Sequence, residues 1–161
     1  MKTSAISRQG IFTAMSFLAL LAIASSPAAA NGEMLFSQIN SAPSACPNSF
    51  VNIPGLSLTL PAAAPLRATY ALIILNIPQP YAKGNNFPGI DFAIYVNGVV
   101  ATGGFTYTLQ NPPSFGRMPF TLVVRVNLVS TPTQVTAQWR GVRGSSCHID
   151  TYASLSAIIG I

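Results

Sequence analysis

The chain has 161 residues, a net charge of +5 and only 7% Asp, Glu, Lys and Arg, against about 25% in an average soluble protein. Its length suits one domain that buries roughly two thirds of its surface without needing a disulfide. With no run of Lys or Arg, it lacks the electrostatic footprint of a nucleic-acid-binding protein.

Residues 1–30 read as a secretory signal peptide. Lys2 and Arg8 form a basic start, Ile11 to Ala24 is almost purely apolar, Ser25-Ser26-Pro27 breaks the run and Ala28-Ala29-Ala30 offers a small-residue cleavage site. The segment is too short for a membrane span, and no later segment could cross as a helix, so no membrane insertion is expected. Export would deliver a chain from Asn31, either to the periplasm or to the extracellular space. From there on, Arg67, Lys83, Arg117, Arg125, Arg140 and Arg143 face Glu33, Asp91 and Asp150, a net charge of +3. The high pI therefore reflects a shortage of acids.

Residues 31–49, polar and small with Pro43 and Pro47, read as an N-terminal lead-in, and residues 50–161 as the domain. Leu56, Leu58 and Leu60 alternate with Ser57 and Thr59, the pattern of a half-buried strand. Thr69 to Ile77 is a continuous apolar run, which predicts a central strand buried on both faces. Pro78-Gln79-Pro80 ends it, and Gly84-Asn85-Asn86 with Pro88-Gly89 predicts a long turn region. Ile90, Phe92, Ile94 and Val96 form the inward face of the next strand, and Asn97-Gly98 is a hairpin signal. Phe105 to Leu109, Pro119 to Leu128, Gln134 to Val142 and Ala153 to Ile159 supply further strands. Many short strands with turns between them predict an all-β sandwich. An apolar C-terminal strand and an uncharged surface point to an oligomer that hides apolar faces.

Gln138 to Asp150 gathers the only Trp, the only His, two Arg, a Cys and an Asp. An exported chain meets oxidising conditions, so an intrachain Cys46–Cys147 bridge is the default, with buried free thiols or an inter-subunit bridge as alternatives. Catalysis is not expected. Cys147 and His148 are adjacent and face opposite sides of a strand, and two carboxylates outside the lead-in are too few for an acid–base pair. His148 and Asp150 could begin a metal site, but no third ligand has recognisable spacing, so neither metal nor cofactor is expected. Sugar binding asks instead for Arg, Asp, His and hydroxyl side chains beside an aromatic face. Tyr81, Thr106, Tyr107, Ser114, Arg117, Arg143, His148, Asp150 and Thr151 are the candidates. Taken singly, each also suits ordinary packing or a solvated strand end.

Four longer stretches narrow the choice: Val51-Asn52-Ile53-Pro54-Gly55-Leu56, Pro80 to Ile90 with its Gly84-Asn85-Asn86-Phe87-Pro88-Gly89 run, Gly116-Arg117-Met118-Pro119-Phe120-Thr121-Leu122-Val123, and Val142 to Ile158 with Arg143-Gly144-Ser145-Ser146 and His148-Ile149-Asp150. Together they resemble the tumour-necrosis-factor-like, fucose-binding N-terminal domain of a bacterial superlectin. The resemblance implies a jelly-roll sandwich, a compact homotrimer, and a metal-free sugar site between neighbouring protomers. It implies that Thr106 and Tyr107 contact fucose from one protomer and that Arg117 and Arg143 reach it from the next. Tyr81, Ser114, His148 and Asp150 would meet the rest of the oligosaccharide. Thr151 stands where the family has Ser and keeps the hydroxyl. Two positions depart: Asp91 replaces a sugar-contacting Tyr, and Phe115 replaces a Thr. Asp91 is expected near Arg117 and Arg143, either accepting from a hydroxyl or pairing with the arginines. No second, calcium-dependent lectin domain is expected beyond Ile161, so avidity would come from three sites on one trimer. A non-lectin structural or adhesion trimer on the same jelly roll is the alternative.

Overall fold

A computed structural model describes residues 32–44, 46–63, 69–84, 87–108, 117–150 and 152–160. The signal peptide expected at residues 1–30, the Asn85-Asn86 pair, Ser114, Phe115 and Thr151 lie outside the described residues. Ten strands follow in chain order: β1 (Met34–Gln38), β2 (Val51–Leu60), β3 (Tyr70–Ile77), β4 (Pro80–Lys83), β5 (Gly89–Val96), β6 (Val99–Tyr107), β7 (Phe120–Asn127), β8 (Thr133–Val142), β9 (Ser146–Ile149) and β10 (Ser154–Gly160). No helix occurs among the described residues.

Two four-stranded antiparallel sheets, β1-β10-β3-β7 and β2-β8-β5-β6, form a jelly-roll sandwich, and β4 pairs with β9 in a separate ribbon. Leu56, Leu58, Leu60, Ile73, Leu75, Ile90, Phe92, Ile94, Trp139, Leu155 and Ala157 fill the space between the sheets. Period-two alternation is the cause. Each strand sends every second side chain inward, and burying them supplies the driving force at about 25 cal/mol per Å² of apolar area. Asn97 and Gly98 both adopt positive φ, 48° and 79°, as a tight hairpin between β5 and β6 requires.

The apolar run of β3 is buried on one face only. Ala71, Ile73, Leu75 and Ile77 point into the core, while Leu72 and Ile74 are half-buried on the outside of their sheet. Rows across that outer face explain why the run is apolar throughout. Met34, Ile158, Leu72 and Arg125 are register partners, and so are Phe36, Ser156, Ile74 and Val123. Met34, Phe36, Val123 and Ile158 are all exposed, so the face is a largely apolar surface, interrupted by Arg125 and Ser156, rather than a second half of the core.

Three strands were not anticipated. Strand β1 lies inside the expected lead-in, and Ile39 and Cys46 from the same segment are core residues. Strands β4 and β9 are four residues each, too short to show a period. They carry Tyr81, Lys83, Ser146 and His148.

Candidate functional site

A disulfide joins Cys46 and Cys147, whose Cα atoms are 5.2 Å apart, closing a sequence separation of 101. Cys147 is therefore not a nucleophile, and its neighbour His148 faces outward from the opposite side of β9. The bridge and the Ser44↔His148 pairing tie the N-terminal segment to β9.

The candidate residues fall into two groups. The first is built on the ribbon. Tyr81 and His148 are directly opposite in the β4–β9 register, and their rings stack with centroids 4.6 Å apart and 11° between planes. The Arg117 guanidinium lies over the Tyr81 ring at 4.7 Å and forms an ion pair with Asp150. Lys83 reaches the same ring at 5.6 Å. Burial holds the His148 pKa below its ordinary value, with Lys83 acting in the same direction and Asp150 opposing both. His148 Nε2 lies 3.4 Å from the Ser146 hydroxyl.

The second group sits where β5, β6 and β8 end. Tyr107 and Phe105, two apart on β6, meet edge to face at 5.0 Å and are both exposed. The Arg143 guanidinium lies 5.7 Å from the Tyr107 ring centre. Arg143 occupies the tip of the β8–β9 turn with φ of 54°, a conformation uncommon for a side chain of its size. The turn is locked from beneath. Ser145 is buried, its N–H and hydroxyl both donate to Val142 O, and its Oγ accepts from Gly89 N at 3.2 Å. Gly89 must be glycine: a Cβ there would stand 2.9 Å from the Tyr107 ring and 3.0 Å from Thr106 O. Gly141 must be too, since a Cβ would meet Ser145 O at 2.1 Å. Thr106 is half-buried and, as Tyr107's chain neighbour, points to the other face of β6.

Asp91 does not pair with Arg117 or Arg143. It lies opposite Arg140 in the β5–β8 register and accepts from Arg140 Nε at 2.7 Å. Strand pairing decides this, because register puts the two Cβ atoms side by side, whereas Arg117 is taken by Asp150. Arg140 also lies over the Phe50 ring at 4.7 Å, and Phe50 meets Tyr95 edge-on at 5.8 Å. Asp91 does approach Arg143 in one respect. Both line a cavity of about 340 Å³ with Asn48, Arg140, Gly141, Val142 and Gly144.

The resemblance implied that Tyr107 and Arg143 meet across a protomer boundary; within one chain they are already in contact. No ion pair or ring contact joins the first group to the second among the described residues. No group of three or more His, Cys, Asp or Glu able to hold a metal occurs among them either. Arg140 and Asn48 were missed from sequence. Arg140 stands inside the polar block, but its role depends on a partner 49 positions away.

Residues 38–158 match the family described as "Bc2l-C, N-terminal domain". Among solved structures the chain is similar to Eiger TNF from S. frugiperda, with a TM-score of 0.51 and 8% identity over 81% of this chain and 93% of that one. It is also similar to dimeric latent PorU from Porphyromonas gingivalis, with a TM-score of 0.48 and 10% identity over 80% of this chain and 13% of that one. No curated protein matches the sequence. At 8% identity the likeness to Eiger TNF speaks to the sandwich fold and not to a ligand.

Proposed function

The chain belongs to the family of the Bc2l-C N-terminal domain, a lectin-type carbohydrate-binding family, and on that premise we propose that it is an exported homotrimeric lectin for fucosylated or related glycans. The observation that carries this reading is the Arg143–Tyr107 pair beside the cavity. An aromatic ring and a rigid fork of N–H donors, fixed at the tip of a locked turn, suit the apolar face and the hydroxyls of a pyranose.

The second group of residues fits the same reading. Tyr81, His148, Arg117 and Asp150 offer one stacked aromatic pair and one ion pair to a longer oligosaccharide. Ser114 and Thr151 are assigned to the site by resemblance alone. The outer face of β1-β10-β3-β7, with Met34, Phe36, Ile158 and Val123 exposed, suits burial at the centre of a trimer. The Cys46–Cys147 bridge suits an oxidising compartment. The bridge leaves Cys147 without a thiol for nucleophilic chemistry.

The assignment is tested by Arg143→Ala and Arg117→Ala on a glycan array, with oligomeric state followed by light scattering. Both variants lose binding and stay trimeric under this reading. A second reading, a non-lectin adhesion trimer, draws on the ion pairs that engage Arg117 and Arg140. It predicts a trimer that is blank on the array and still adheres to cells or matrix.

A further inference from the structure

We infer that His148 is an acid-operated latch on Arg117: while the imidazole is neutral, Arg117 stays over Tyr81 and paired with Asp150, and when the imidazole takes up a proton, Arg117 is released and glycan binding weakens. The release stands on the ribbon geometry, and the loss of binding rests on the carbohydrate-binding reading.

The Tyr81 ring is shared. On the β4–β9 ribbon it stacks with His148 at 4.6 Å, and the Arg117 guanidinium and the Lys83 ammonium lie 4.7 Å and 5.6 Å from its centre. An aromatic ring attracts cations, so Tyr81 already holds two of them beside a neutral imidazole. Asp150 is shared as well. It pairs with Arg117, and its charge favours the protonated form of His148, two residues away. Protonated His148 therefore competes with Arg117 for the same ring and the same carboxylate.

The surrounding charges set the direction. Among the described residues, β4 supplies Lys83, the segment ahead of β7 supplies Arg117 and the segment after β9 supplies Asp150. Ser146 on β9 lies 3.4 Å from His148 Nε2, and Ser44 bridges to His148 from the N-terminal segment; both are uncharged. Neutral His148 leaves two cations to one carboxylate, and protonated His148 leaves three. Burial and Lys83 hold the His148 pKa below its ordinary value, against the pull of Asp150. The third charge therefore arrives on acidification below about pH 6.5.

Arg117 is the member that leaves. Lys83 and His148 are fixed by the register of the ribbon, Lys83 opposite Ser146 and His148 opposite Tyr81. Arg117 reaches the ribbon from a separate segment, and its side chain is 41% exposed. An ion pair so exposed is weak, and one added like charge shifts it. A freed arginine must be ordered again before it meets a sugar hydroxyl, which lowers affinity.

The test follows the single histidine and the Arg117 Nε–H resonance by NMR from about pH 8 to about pH 5, in wild type, His148→Gln and Lys83→Gln. Calorimetric titration with a fucosylated oligosaccharide is repeated over the same range. The Arg117 resonance is expected to shift with the midpoint of the His148 ring signals. That shift disappears in His148→Gln, and its midpoint rises in Lys83→Gln, which removes a cation that disfavours the protonated ring. Affinity is expected to fall about threefold to fivefold across the same midpoint, the worth of an exposed ion pair. An Arg117 resonance that ignores the His148 titration, or moves equally in His148→Gln, overturns the latch. Should that variant fail to fold, an unmoved midpoint in Lys83→Gln overturns it. Coupled resonances with an affinity that stays constant or rises in acid overturn the link to binding and leave the lectin reading standing. A wild-type protein that binds no glycan at any pH overturns the lectin reading and that link together, and the resonances alone then decide the latch.

Discussion

Tyr81 and His148 stack across the β4–β9 ribbon with ring planes only 11° apart and centroids 4.6 Å apart. An imidazole in that position is desolvated on one side and faces Lys83, and its pKa is lowered on folding. The folded state therefore favours neutral His148. Its contribution to stability is complete above the unfolded pKa of about 6.5 and is lost as pH falls through the lower folded value. Since His148 is the only histidine, the effect is isolable. The melting temperature should decline below about pH 6.5, and His148→Gln should flatten that decline above the range where carboxylates titrate. A wild-type protein with the same pH profile as His148→Gln would contradict the assignment.

Gly89 lies against the ring of Tyr107, one of the proposed sugar contacts. The Gly89→Ala variant places a methyl group within 2.9 Å of that ring, which must move. Overpacking of this kind costs about 1–3 kcal/mol. Glycan affinity should fall by roughly tenfold or more while the protein stays folded, because small displacements of a positioned group are costly. Titration of a bound oligosaccharide checks this, and unchanged affinity would remove Tyr107 from the site.

The Cys46–Cys147 bridge spans a sequence separation of 101. In the chain-entropy account a loop of that size contributes about 4–5 kcal/mol. The double variant Cys46→Ala/Cys147→Ala should melt roughly 10–20 °C lower by circular dichroism. It should also lose glycan affinity, since the bridge holds the segment carrying Asn48 against Gly141. A change in melting of under about 3 °C would mean that other contacts fix this segment.

The outer face of β1-β10-β3-β7 grades from apolar rows at Met34 and Phe36 to the polar row of Gln38, Ser154, Asn76 and Thr121. Phe36→Glu puts a carboxylate among the apolar rows, where a trimer would bury it unpaired at a cost of several kcal/mol, and Val123→Glu does so beside Arg125, two residues along β7, at a smaller cost. Light scattering should then report monomers. Trimers that persist in both variants would place the interface elsewhere.

Much of this architecture is visible in the sequence because period-two alternation is a local signal. Strands β3, β5, β7, β8 and β10 emerge within a residue or two, only the second half of β2 shows its alternation, and Asn97-Gly98 marks its own hairpin. Strand β1 escaped because its apolar residues, Met34 and Phe36, lie on the exposed outer face of the sheet, beside a proline-rich segment. Strands β4 and β9 span only two alternations each, too few to stand out from chance. The apolar β3 run was read as buried twice over, since an unbroken apolar sequence does not tell a covered face from an exposed one. Site pairings were the least legible. Asp91 with Arg140 and Arg117 with Asp150 depend on register and loop path, which no local pattern encodes. Arg143 and His148 stood out only because charge is so scarce in this chain.

The claim at the centre of this account is that the locked turn at Arg143 presents a sugar site. A glycan array probed with the purified wild-type trimer and with Arg143→Ala tests it most directly. The account predicts wild-type signal concentrated on fucosylated or closely related glycans and its loss in Arg143→Ala at unchanged oligomeric state. A folded wild-type trimer that leaves the array blank, or an Arg143→Ala trimer that gives the wild-type pattern, would contradict it.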